Sequence, residues 1–348
     1  MSKIMKNLFS SPSNIVLSLL WLLLLITVIP PFIQWAVLDA VFIADHGSQC
    51  SREAACWAFI YARFDDFIFG RYPDAERWRV IIGLLLPVTL FLIYTFIAAK
   101  HKTKFVISAV VLCPIISLIF FRGGVFSLEV VDTRLWGGLF LTIVIAASSI
   151  TFALPIGIIL ALARRSSYPV ISILSTLFIE VSRSVPMITV LFVASIMFPF
   201  FVPEGVEIDK LLRTVIAVTL FAGAYMAEVV RGGLQAIPKG QYEAASAMGL
   251  GYWQTMGLII LPQALKISIP PIVNLFIGFF KDTTLVLVIG LFDLLNMVTT
   301  TTSDPDWFGY AIEGYIFVGL VFFIFCFSMG SYSKKLEKKL NNKSHANN

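Results

Sequence analysis

Lys281 and Asp282 are adjacent side chains of opposite charge inside an apolar stretch that runs from about residue 268 to 293. Ionisable groups at such a depth in an apolar segment are costly and mark either a pathway or a pairing site. Pro270, Pro271, Asn274 and Gly278 precede them, so the segment is expected to be bent or locally unwound, exposing backbone groups to a cavity. Asn274 and Thr283 join the charged pair as candidate contacts. Two readings stand: the charges line a path for a polar solute, or they pair with neighbouring helices and fix assembly.

Two further charged pairs have helical spacing. Glu180 with Arg183 and Glu228 with Arg231 are each three apart and so share a helix face, near predicted helix ends. A structural role is favoured, since arginine can reach to headgroups and such pairs orient the loop that follows; participation in an inner gate is the alternative. Other chemistry is missing. Four cysteines (Cys50, Cys56, Cys113, Cys326) contain no CxxC, and His46, His101 and His345 are far apart, so no metal-ligand spacing exists. There is no nucleophile with a positioned base, which argues against a membrane enzyme. No G-x-x-x-x-G-K-[ST] stretch occurs, which argues against a chain that hydrolyses ATP itself.

These residues must be positioned by helices in lipid. The 348 residues are 58% hydrophobic and 14% charged, with a mean hydropathy of +0.88, outside the balance of soluble chains. The expected class is all-α, a polytopic integral membrane protein with about eight spans near 15–35, 80–99, 105–121, 136–163, 184–203, 212–229, 268–293 and 311–330. The first follows Lys3 and Lys6 and resembles a signal peptide, but no good cleavage site comes soon after it, so a retained anchor helix is expected. Alternating the loops places Lys3/Lys6, Lys100 to Lys104, Arg164-Arg165, Arg231/Lys239 and Lys334 to Lys339 on one face, which the positive-inside rule makes cytoplasmic, with both termini. The net charge of +5 is then a topology signal, and nucleic acid is not an expected partner. The loop from about 38 to 79 is the one sizeable exterior segment, expected to form short interfacial helices. Cys50 and Cys56 lie in it on the oxidising side, either as a local disulfide or as two thiols. Three parts follow: 1–135 with three helices and the outer loop, 136–335 with five helices, and a polar tail, 336–348, expected to lack fixed structure.

Between the sixth and seventh spans lies Ile237-Pro238-Lys239-Gly240-Gln241-Tyr242-Glu243-Ala244-Ala245-Ser246-Ala247-Met248-Gly249-Leu250-Gly251. Pro238 can open a helix, the following stretch favours one, and Gly249 and Gly251 permit the turn that ends it, so two short helices meet at a glycine corner. Small Ala side chains and the apolar Met248 and Leu250 suit docking into a groove; an alanine-rich helix on the membrane surface would look similar. Glu243-Ala244-Ala245, then Gly249, Ile259 and Leu261-Pro262, resembles the EAA loop of the permease subunits of binding-protein-dependent ABC importers. The stretch Glu228 to Gln241 resembles the segment preceding this loop in the histidine-permease-like, polar amino acid branch. Glu180, Arg183 and Pro186 resemble that branch's Glu-x-x-Arg-x-x-Pro, with Ser184-Val185 in place of Gly-Thr. Lys281-Asp282-Thr283-Thr284-Leu285 resembles its Lys-x-Thr-Ser-Leu. The added N-terminal helices look like the larger permease of the general L-amino-acid importers.

The resemblance, over about 136–335, implies a type I ABC importer permease fold in a bacterial inner membrane. It implies no cofactor on this chain, with ATP and Mg used by a separate ATPase dimer that docks on the EAA loop. It further implies a second, related permease and an outer-face amino-acid-binding protein as partners, besides membrane lipid. In that setting Lys281 and Asp282 carry the signs that a zwitterionic amino acid needs. A secondary transporter or channel is the alternative; it would not need the coupling loop.

Overall fold

In the computed structural model, residues 8–345 are described; Lys3 and Lys6 lie outside them. The principal helices are α1 (Pro12–Ile33), α2 (Arg77–Phe96), α3 (Ala99–Arg122), α4 (Gly138–Arg164), α5 (Pro169–Ser184), α6 (Met187–Phe192), α7 (Lys210–Gln235), α8 (Lys239–Ala247), α9 (Leu261–Asp282), α10 (Leu294–Thr301) and α11 (Ala311–His345). Among the described residues, seven helical stretches are long and apolar enough to cross a bilayer, and eight crossings result if the bent pair α5–α6 counts as one. The chain is an all-α polytopic membrane protein. Its backbone contacts form two compact units, one of residues up to Phe64 with Val298–Phe317, the other of Asp65–Met297 with the residues from Val318 onward.

In the first unit, Ser11 caps α1 by accepting from the Asn14 amide at 3.2 Å, and Pro12 fits the first turn, where no amide is needed. At ~1.5 Å per residue, 22 residues give roughly 33 Å, enough for a hydrocarbon core. The segment that follows is tied by a Cys50–Cys56 disulfide with Cα atoms 5.7 Å apart. It contains the expected short helices, including Ala58–Ala62. Several bonds clasp it to the residues before and within the start of α11. The buried Glu313 carboxylate accepts from the Cys56 amide at 3.0 Å, Tyr310 Oη donates to the Gly47 carbonyl at 2.7 Å, and Arg63 pairs with Asp304. Phe59, fully buried, packs on Trp307 and Tyr310.

The second unit is built on α4 and α7. Trp136, Phe140, Leu141, Ile145, Val218 and Phe221 share one buried cluster. Glycine lets the helices close up: a Cβ on Gly157 of α4 would lie 2.5 Å from Met226 Cγ of α7. Helices α2 and α3 show how proline is tolerated in lipid. Pro87 cannot donate to the Gly83 carbonyl one turn back, and Ser117 Oγ of α3 donates to that oxygen at 3.1 Å instead.

Three sequence expectations are corrected. The span expected near 184–203 corresponds to the limb Met187–Phe201, but a further apolar helix, Pro169–Ser184, precedes it, bent from it by 106°. Val185, held extended by the following proline, ends α5 (φ −101°, ψ 138°), and Pro186 starts α6. The seventh segment does not unwind at Pro270 and Pro271, which remain inside α9. It tightens to a 3₁₀ helix over Thr283–Ile289, after Asp282, where Thr283 and Thr284 hydroxyls donate to the carbonyls three residues back. The polar tail is helical to His345, because α11 enters it without a breaker.

Beyond the 3₁₀ turn, Asp293 is fully buried, and Asn296 donates to it through amide and side chain. Burial pushes its carboxyl from 3.8 up to about 6, against the pull of those bonds. The fold binds this proton more tightly than the unfolded chain does, so the proton favours folding below pH ~4 and the advantage is lost as pH rises through about 6. At ~1.4 kcal/mol for each tenfold change in proton affinity, this advantage is roughly 3 kcal/mol. Thermal unfolding of the purified chain should show wild type losing about this much stability relative to Asp293→Asn between pH ~4 and ~7; parallel profiles would contradict it.

Candidate functional site

The Lys239–Gln254 segment starts from Pro238, whose extended backbone (ψ 141°) turns the chain out of α7 into α8. Ala245 is fully buried, whereas Glu243 and Ala244 are exposed. At the end of α8 the Gly249 amide donates to Ser246 O at 2.9 Å and the Leu250 amide to Ala245 O at 3.1 Å, the paired bonds of a Schellman turn. Gly249 has φ +74°, and a Cβ there would meet nothing within 4 Å, so backbone conformation alone demands glycine. The chain then re-enters helix at Tyr252 and runs through a π turn into α9.

Of the other residues in this motif, Ile259 and Leu261 pack against a buried cluster with Met226, Val230, Met256 and Ile260, and Pro262 lies exposed in the first turn of α9. The corner carries exposed apolar side chains, Met248, Tyr252, Trp253 and Leu258, with Trp253 at 75% exposure. Sequence reasoning singled out Met248 but missed Trp253 and Leu258; an apolar side chain every few residues along a polar loop was the available signal. Leu250, also singled out, is half-buried.

The segment is tied to three membrane helices. Arg165, just past α4, donates to Tyr242 Oη at 3.3 Å, Tyr242 Oη donates to Leu234 O of α7 at 3.4 Å, and Gln263 of α9 donates to Gln241 at 3.1 Å. One turn deeper, the charged residues meet differently from the expected pairing. Glu228 and Arg231 do bond, through Arg231 Nε at 2.9 Å. Glu180, however, pairs with Arg164 at 2.9 Å, and Arg183 turns to Glu228 at 3.8 Å. Arg164 also approaches Glu228, at 3.4 Å. The reason is the bend at Val185, which lays α5 beside the ends of α4 and α7. Glu228 thus faces three guanidinium groups from three helices. The role of Arg164 was not legible, because its partners lie 16 and 64 residues away in the chain.

These contacts also orient the bent pair. Ser172 near the start of α5 donates to Arg164 O, and Arg183 at its end reaches Glu228, so α5 runs across one end of α7. Arg213, at the opposite end of α7, donates to Ser195 O at 2.6 Å beyond α6. Fifteen residues separate Arg213 from Glu228, roughly 22 Å of helix, so the second limb climbs antiparallel to α7.

The pathway candidates do not form one cluster. Lys281 and Asn274 are exposed, Asp282 is half-buried and Thr283 is buried, all at or before the point where α9 becomes 3₁₀. Among the described residues no group of three His, Cys, Asp or Glu is placed to hold a metal ion.

Replacing Glu228 by Gln should leave its three arginines without their common anion, costing about 2 kcal/mol of stability, while Glu180→Gln, more exposed, should cost less than about 1 kcal/mol. Thermal unfolding in detergent separates the two; equal effects would show that Glu228 is not the hub.

Residues 153–342, more than half of the chain, match the family described as binding-protein-dependent transport system inner membrane component. The inner membrane amino-acid ABC transporter permease protein YhdY of Escherichia coli K12 is 50% identical over 336 residues, covering 97% of this chain and 92% of that one. The glutamate/glutamine/aspartate/asparagine transport system permease protein BztC of Rhodobacter capsulatus is 39% identical, covering 96% and 92%. A crystal structure of an amino acid ABC transporter with histidines superposes with a TM-score of 0.52 at 29% identity, over 58% of this chain and 92% of that one. With its motif residues on a tethered helical corner between two spans, the chain belongs to the binding-protein-dependent transport system inner membrane component family.

Proposed function

We propose that this chain is the membrane-translocation subunit of an ATP-driven importer of polar L-amino acids, with ATP and Mg used by a separate ATPase dimer docked on the Glu243–Pro262 region. The observation that carries this reading is the Gly249 corner: a short helix closed by its own hydrogen bonds, with an exposed apolar surface and ties to α4, α7 and α9. A push on such an element reaches three membrane helices at once. The relatives named for amino-acid transport, similar over nearly the whole chain, support the substrate class.

The bent pair bears on topology. Counting α5–α6 as one crossing gives eight, an even number, which puts both termini on one side; the positive-inside rule makes that side the cytoplasm of a bacterial inner membrane. The coupling corner then faces the ATPase, and the disulfide-tied segment faces outward, where a binding protein delivers the solute. Residues 136–335 form the permease core, 1–135 an extension and 336–348 a tail on the inner side. A related but different second permease completes the path. Lys281 and Asp282, with Asn274 and Thr283, are the candidate solute contacts.

Proteoliposomes holding this chain, its partner permease, the ATPase and the binding protein test the reading. Gly249→Asp forces a side chain into the left-handed region and a charge onto the docking surface, so substrate-stimulated ATP hydrolysis and uptake should collapse while the membrane subunits remain folded. Intact coupled uptake would return the secondary-transporter reading. Lys281→Ala should lower uptake by about tenfold without loss of assembly if it meets the solute carboxylate; loss of assembly with normal residual transport per complex would assign it to pairing.

A further inference from the structure

An apolar groove of about 430 Å³ lies along the flank of the second unit, between the α2–α3 hairpin and α4. Its floor includes Pro87, Ala109, Pro114 and Ala147, small or ring-closed side chains that leave space where larger ones would fill it. At one end the walls close, because Phe121 packs edge-on against Phe140 with centroids 4.8 Å apart and touches the place where a Gly83 Cβ would stand. Toward the other end the lining continues along the hairpin to Tyr94 and Phe105, while α4 contributes nothing beyond Thr151. The groove therefore runs from its closed end at Phe121 toward the α2–α3 turn.

Water is a poor occupant, since the lining is mostly hydrocarbon and Ser117 Oγ is already committed to Gly83 O. From Gly83 to Tyr94 the groove runs about 16 Å at the helical rise, roughly half of a ~30 Å hydrocarbon core and so the depth that one acyl chain of a single leaflet occupies. A single extended hydrocarbon chain matches that length.

The open end supplies the charge. Lys102 Nζ lies 4.7 Å over the Tyr94 ring, and His101 and Lys104 beside it are exposed. The sequence from Arg77 to Leu128 contains no Asp or Glu, so the hairpin offers these lysines no carboxylate of its own. We propose that the groove binds one acyl chain of an anionic phospholipid whose headgroup is held by Lys102 and Lys104 at the α2–α3 turn. Basic residues at a membrane surface attract anionic headgroups, and the apolar groove beneath selects a lipid over a free phosphate.

The assembled transporter, reconstituted in vesicles of equal phosphatidylcholine and phosphatidylglycerol and then extracted in mild detergent, tests this by native mass spectrometry of retained lipid. Wild type should keep one phosphatidylglycerol per copy of this chain. Lys102→Ala with Lys104→Ala should leave lipid bound but lower the preference for phosphatidylglycerol by about fivefold per lysine. Ala109→Trp, which fills the groove, should reduce retained lipid of both kinds by about tenfold; if that variant does not assemble, Ala147→Leu on the opposite wall narrows the same slot and is read the same way. Retention unchanged in the filled variant, or a preference unchanged in the lysine variant, overturns the proposal. So does efficient cross-linking of Ala109→Cys to the partner permease, which would place a protein segment in the groove.

Discussion

One carboxylate organises the end of the bundle from which the Lys239–Gln254 segment leaves. Glu228 takes contacts from Arg164 of α4, Arg183 of α5 and Arg231 of its own helix, three cations that would otherwise repel each other at short range. In a partly buried site the dielectric is low enough for that repulsion to matter. The anion makes the close approach of α4, α5 and α7 tolerable, and Glu180 takes up part of the remaining positive charge through Arg164. A few residues on, Arg165 and Tyr242 continue the connection into α8. Helix ends, charge hub and corner thus form one continuous set of contacts.

The rest of the architecture follows from the demand that backbone groups in lipid find partners within the protein. Each departure from regular helix carries its remedy. The carbonyl released by Pro87 receives Ser117 from the neighbouring helix, and the tightened turn after Asp282 has threonine hydroxyls covering its carbonyls. In the segment after α1, Glu313 does the same for the Cys56 amide, which the disulfide loop would otherwise leave buried without a partner. These local repairs let a chain with 16 prolines and 22 glycines remain largely helical.

What was legible in the sequence divides along physical lines. Spans were visible because the bilayer filters composition over about 20 residues, and the Gly249 corner was visible because its conformation admits few residue types. The bend at Val185-Pro186 was signalled by proline, yet its angle depends on the salt bridges that hold α5 against α4 and α7, which no local pattern carries. Glu180 and Arg183 illustrate the same limit: spacing of three brings them onto one face, but stronger partners on other helices draw each away. The Glu313 contact with Cys56 spans 257 residues and had no sequence signal at all.

Helix α5 has a consequence for how the chain enters the membrane. Its 16 residues give roughly 24 Å, short of the roughly 30 Å hydrocarbon core, though its Val170, Ile173, Leu174, Leu177 and Val181 side chains are apolar and exposed. An insertion machinery that reads hydropathy alone would be tempted to treat it as a crossing, which would invert every later segment. The arginines at 164, 165 and 183 bracket it with positive charge at both ends, a pattern that retains both flanks on one side during synthesis. The charges that later converge on Glu228 therefore also act earlier, as stop signs that set the reading frame of the topology before the hub exists.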